Sequence, residues 1–88
     1  MNTVDWLSRL IAFDTTSRHS NLQLIDCVDE YLRGLGLQPW RAWNADQSKA
    51  NLFVTLPAHD GSIAGGTVLS GHTDVVPVDG QQWTSDPF

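Results

Sequence analysis

Along the first dozen residues the apolar positions Val4, Leu7, Leu10 and Ile11 return every three or four places, the period of one helix face. Asn2 and Thr3 stand just ahead, and the side chain of either can accept a hydrogen bond from an unpaired amide at a helix start. Asp14-Thr15-Thr16-Ser17 then offers four side chains that compete for backbone hydrogen bonds, which favours a turn over continued helix. A second helical stripe follows in Leu24, Ile25, Val28, Tyr31, Leu32 and Leu35, with stop signals at Gly34 and Gly36. Ser20 and Gln23 fit a capping box at its start.

After Gly36 the period shortens. Leu37 to Trp43 predicts a strand, Asn44-Ala45-Asp46-Gln47-Ser48 a polar turn, and Asn51 to Leu56 an answering strand. In that second strand Leu52, Val54 and Leu56 share one face and Phe53 takes the other, until Pro57 ends the ladder. A polar, glycine-rich loop over Ala58 to Gly66 leads to Thr67-Val68-Leu69-Ser70-Gly71-His72, which predicts a third strand. That loop is too short for a helical crossover, so the second and third strands are expected to run in opposite directions. From Thr73 to Phe88 two Pro, one Gly and three Asp predict an irregular loop. The expected fold class is α/β with a mixed sheet, two helices then about three strands.

Length and charge narrow this picture. At 88 residues there is room for one small domain at most, and ordering so short a chain leaves little margin for a core that needs neighbours. A formal net charge of -5 opposes both phosphate backbones and anionic membrane surfaces, so neither nucleic acid nor membrane is an expected partner. Cys27 is the only cysteine, which excludes an internal disulfide and suits a reducing compartment. Met1 to Asp5 lacks the basic and apolar regions of a signal peptide, and no apolar run approaches the ~18 residues of a span. The expectation is a soluble, cytoplasmic protein. Asp86-Pro87-Phe88 reads as a chain cut inside a larger domain, so residues 1–88 are expected to be an N-terminal piece.

The chemistry centres on His72-Thr73-Asp74. Residues two apart on a strand project to one face, roughly 6.6 Å apart along it, so imidazole and carboxylate would share one space. A neutral imidazole can give one nitrogen's lone pair to a metal while a carboxylate takes the other nitrogen's proton and fixes the tautomer. His72 would then be the ligand and Asp74 its support. By spacing alone, a His-x-Asp pair is more often an ordinary structural hydrogen bond, and a metal site needs about three or four ligands. His19 and His59 fall in loops without paired spacing and read as solvated. Cys27 reads as a packed, inert thiol, and Ser70 lacks the strand-turn-helix elbow of a serine hydrolase. Gly65-Gly66 reads as a turn rather than a phosphate cradle, and Asp14, Asp79 and Asp86 as turn carboxylates. Buried packing is the expected role of Trp40, Trp43 and Trp83.

The longer stretch from Val68 through Gly71-His72-Thr73-Asp74-Val75-Val76-Pro77 to Gln81, followed by Trp83 and Asp86-Pro87-Phe88, closely resembles the N-terminal metal motif of the M20 metallopeptidase family. Phe13 to Ser17 and Lys49 to Pro57 resemble earlier segments of that family, in the same order. The resemblance implies a zinc-aminopeptidase-like catalytic domain with two Zn2+ ions, Co2+ being an alternative, in which His72 ligates one metal and Asp74 orients that ring. It further implies deacetylation of N-acetyl-L-ornithine in arginine biosynthesis by a homodimer. The general base, the remaining ligands and a lid or dimerisation domain would then lie beyond Phe88, and residues 1–88 alone would be inactive. A desuccinylase or other peptidase of the family, acting on a different acylated amino acid, is the related alternative. A non-catalytic interaction module is the unrelated one.

Overall fold

A computed structural model of the chain describes all 88 residues. The elements run α1 (Thr3–Ile11), α2 (Leu22–Gly34), β1 (Trp40–Trp43) and β2 (Ala50–Phe53), a small mixed α/β unit. α1 starts where the apolar period begins because Asn2 closes a full capping box. Its side chain accepts from the Asp5 amide at 2.9 Å, and the Asp5 carboxylate accepts from the Asn2 amide at 3.1 Å. α1 meets α2 through the edge-on pair of Trp6 and Tyr31, whose ring centroids lie 4.5 Å apart.

The start of α2 differs from the sequence expectation. Ser20 and Gln23 form no capping box: the Ser20 hydroxyl accepts from the Leu22 amide at 3.1 Å, and Asn21 occupies the cap position. The Asn21 side chain reaches instead to the sheet. Its Nδ2 donates to the Ala50 carbonyl at 2.9 Å, and its Oδ1 accepts from the Ala50 amide at 3.1 Å. An amide carries a donor and an acceptor side by side and so matches a strand edge, which a lone hydroxyl does not. The C-terminus of α2 follows the glycine signal. The Gly36 amide donates to the Arg33 carbonyl at 2.9 Å and the Leu37 amide to Leu32 at 3.1 Å, a Schellman closure in which Gly36 takes φ 83°.

β1 and β2 pair antiparallel, with Trp40 opposite Phe53 and Trp43 opposite Ala50. The connecting turn is held from both sides by Asn44, whose amide donates to the Lys49 carbonyl and whose Oδ1 accepts from the Lys49 amide. Leu24, Ile25 and Ala50 form the buried centre, with Leu10, Phe13, Leu22, Val28 and Leu52 packed around it. Beside this centre lies Asp29, a charged residue only 4% exposed. It accepts from Arg33 Nε, one turn along α2, and from Arg41 Nε on β1 at 2.8 Å, while Arg41 also reaches Asp26 at 2.8 Å. Helix and hairpin are thus bolted together by charge as well as by apolar contact.

Two expectations are corrected. The segment Thr67 to His72 forms no strand, and the sheet has two strands rather than three. A strand exists through its ladder, and none of these residues makes a backbone hydrogen bond across the molecule. Leu69 is accordingly 93% exposed. Trp40, Trp43 and Trp83 are not buried either, each retaining about half or more of its surface: Trp40 stands on the hairpin face opposite Ala50 and Leu52, and the three-residue core is too small to cover Trp43 or Trp83. The tail beyond Thr73 is irregular, as expected.

Candidate metal-ligand site

The site is assembled by a buried strap. Asp14 Oδ1 accepts from the Thr16 amide at 3.1 Å and from the Thr16 hydroxyl at 2.6 Å, so the carboxylate folds the chain into a tight turn immediately after α1. Thr15 and Thr16 are buried, Thr16 with 1% exposure. Their backbone then runs parallel to a segment nearly sixty residues away. The Val75 amide donates to the Thr15 carbonyl at 3.1 Å and the Ser17 amide to the Val75 carbonyl at 3.1 Å, forming an isolated parallel bridge between Thr16 and Val75. Thr15 adds a side-chain bond from its hydroxyl to the Thr73 carbonyl at 2.5 Å. The strap therefore grips the chain on both sides of Asp74.

At the outer rim of that grip stand His72 and Asp74. His72 Nδ1 lies 2.9 Å from Asp74 Oδ1 and 2.9 Å from the Asp74 carbonyl oxygen, so two acceptors converge on one ring nitrogen. Nδ1 must carry the proton to satisfy them, which leaves Nε2 with its lone pair. The other carboxylate oxygen, Asp74 Oδ2, accepts from the Ser17 hydroxyl at 2.8 Å. With the Ser17 hydroxyl first and the His72 ring second, these donors hold the Asp74 carboxyl below the usual carboxylate range, in its charged form. The sequence expectation that His72 and Asp74 share one space is met by a direct contact in a loop, not by two side chains on a strand face.

Neighbouring contacts fasten the same region. Arg18 pairs with Asp79 at 2.8 Å, which raises the guanidinium and lowers the carboxyl through that hydrogen bond. Lys49 Nζ donates to the Ser17 carbonyl, tying the strap to the hairpin. Trp83 Nε1 donates to the Val78 carbonyl at 3.1 Å. An open cleft of about 900 Å3 separates residues 70–74 from α2 and the hairpin, with His72 and Asp74 on its wall.

The other candidates do not join the site. His19 lies 3.9 Å from Asp14 Oδ2, and Cys27 is a half-buried free thiol on α2. Gly65 and Gly66 have φ of 71° and 101°, in keeping with a turn. No three His, Cys, Asp or Glu side chains gather into a ligand set. The donor chemistry at His72 fits one metal ligand, and the chain supplies one ligand rather than a complete site. Sequence reading missed Thr15, Ser17 and the Arg18–Asp79 pair as parts of this site. A run of hydroxyl residues after Asp14 marks a turn, but nothing local names a partner nearly sixty residues away.

Comparison with known proteins finds similar sequences. The chain is 41% identical to an acetylornithine deacetylase of Proteus mirabilis and 40% identical to one of Erwinia tasmaniensis, each over 81 residues and 88% of this chain. A third, from Shigella sonnei, is 37% identical over 73 residues and 78% of the chain. Over this stretch the chain is similar to acetylornithine deacetylases. It spans about a fifth of their length, 19% of the first two and 17% of the third. A match over 88% of the chain takes in both the Asp14 to Ser17 strap and the His72 to Val75 segment, whichever end it omits. No family model and no solved structure matches the chain. No helix is long and apolar enough to cross a membrane.

Proposed function

We propose that this chain is the part of a metal-dependent amide hydrolase that presents one metal-ligating imidazole, and that the full-length protein carrying it removes acetate from N-acetyl-L-ornithine. The observation that carries the reading is the His72–Asp74 pair. With Nδ1 held on the carboxylate, Nε2 is the only ring nitrogen free to bind, and the charged carboxylate makes it a better electron donor. The similarity to acetylornithine deacetylases supports the substrate assignment.

Within such a site His72 would hold one of two Zn2+ or Co2+ ions, and Asp74 would keep the ring oriented without touching the metal. A bound zinc supplies polarisation of the amide carbonyl and a more acidic bound water. His72 would keep its Nδ1 proton throughout, because the charged Asp74 carboxylate accepts at both oxygens, from His72 and from Ser17. The remaining ligands and the general base belong to other parts of the full-length protein, which we place in the cytoplasm as a homodimer serving arginine biosynthesis.

The test is hydrolysis by the full-length, metal-loaded protein, with N-acetyl-L-ornithine and N-succinyl-diaminopimelate offered in parallel. The reading expects acetate release from the first and little turnover of the second, with the order reversed for a desuccinylase. His72→Ala is expected to empty one metal position, and Asp74→Ala to lower metal affinity or activity roughly 10- to 100-fold. The 88-residue chain alone is expected to be inactive. Unchanged metal content and turnover in both variants would refute these roles.

A further inference from the structure

We propose that Ser17 is a positioning residue for His72, acting through Asp74. The proposal rests on the reading of His72 as a metal ligand and extends it to a residue from the opposite end of the chain. Asp74 is a bridge between two donors: Oδ1 faces His72 Nδ1 at 2.9 Å, and Oδ2 faces the Ser17 hydroxyl at 2.8 Å. Ser17 Oγ also lies 3.4 Å from the Val75 carbonyl, but its single proton goes to the shorter contact with the charged oxygen. A carboxylate held at one oxygen can still swing about its side-chain bonds. Held at both, it has one orientation, and together with the Asp74 carbonyl it favours one tautomer of the ring.

The strap gives Ser17 its authority. His72 is 85% exposed and Asp74 59%, so in isolation their contact would compete with water. Ser17, however, is anchored by the parallel bridge, to which its own amide contributes the bond to Val75, and by the buried Thr15 and Thr16 behind it. Lys49 adds a grip on its carbonyl. The exposed pair is therefore aimed from a buried base, and the turn after α1 sets the geometry at a ring separated from it by most of the chain. The hydroxyl orients the carboxylate and touches neither metal nor substrate.

Nitrogen NMR of the 88-residue chain at about pH 8 reads the tautomer of His72 directly. The wild type is expected to hold mainly the Nδ1-protonated form. Ser17→Ala is expected to lower the ratio of Nδ1-protonated to Nε2-protonated ring roughly two- to fivefold, and Ser17→Thr to restore it. Amide resonances of Thr16 and Val75 that stay in place in Ser17→Ala show that the bridge survives the substitution. A tautomer ratio that ignores Ser17, or an Nε2-protonated ring in the wild type, overturns the proposal. Zn2+ added to the full-length protein, where the proposed further ligands would be present, separates this claim from the one beneath it. A Zn2+-induced change at His72 Nε2 larger than at His19 or His59, with a tautomer indifferent to Ser17, overturns the positioning role alone. A Ser17-dependent tautomer with no preferential Zn2+ effect at His72 removes ligation and, with it, the functional meaning of the strap.

Discussion

Substituting Asp29 by Asn is the sharpest test of how the small core is held. Asp29 is buried and receives Arg33 and Arg41 on its two oxygens, so the neutral amide leaves two guanidinium groups without their shared counter-charge. Breaking a fully buried pair costs about 3–5 kcal/mol. Here the Arg41 side chain is 20% exposed and keeps Asp26, while Arg33 is 57% exposed, so water and a second carboxylate recover part of the loss. The expected cost is about 2–3 kcal/mol. For a chain of this length that is a large share of a total stability of about 4–13 kcal/mol. It corresponds to a fall in melting temperature of roughly 10–20 °C.

Thermal melting followed by far-ultraviolet circular dichroism measures the effect, with tryptophan fluorescence as a second probe. Adding Arg41→Met to Asp29→Asn is expected to recover little of the lost stability, because Arg41 keeps its pair with Asp26. The same pair predicts a pH dependence. The bond from Arg41, opposed by burial and aided by Arg33, holds the native Asp29 carboxyl below its ordinary value of 3.8. The unfolded chain therefore takes up that proton first as pH falls. The stabilisation is complete above the ordinary carboxylate range and drains away as pH drops through it towards the lower native value. Asp29→Asn melting within about 3 °C of the wild type, with an unchanged acid limb, would refute the reasoning.

Three further substitutions probe the frame around the site. Asn21→Ala removes both side-chain bonds to Ala50 and leaves a buried strand edge unpaired, and is expected to cost about 1–3 kcal/mol in denaturant titration. Gly36→Ala adds a side chain at φ 83° with nothing within 4 Å to clash, so its expected penalty of about 1–2 kcal/mol is conformational and measurable by thermal melting. Asn2→Ala opens the capping box of α1, and a loss of about 0.5–2 kcal/mol with reduced helical dichroism is expected.

Sequence reading found the parts of this protein whose instructions are local. α1, the end of α2 at Gly36 and the hairpin turn all follow from residues within a few places of one another. The third strand did not form because Val68 and Leu69 carry the right side chains but have no backbone neighbour, and alternation alone does not supply one. The tryptophans were misjudged for a related reason, since a large ring is buried only where a core reaches it. At the site, His72 and Asp74 were legible as a pair, although the contact is made in a loop. Ser17 was not, because a hydroxyl in a turn looks the same whether it meets water or a carboxylate nearly sixty residues away.

The most direct measurement is anomalous X-ray scattering from crystals of the zinc-loaded full-length protein. A zinc ion about 2.0–2.1 Å from His72 Nε2, with Nδ1 still on Asp74, is the predicted result. Zinc bound entirely by other side chains, with the His72 ring facing solvent, would contradict it.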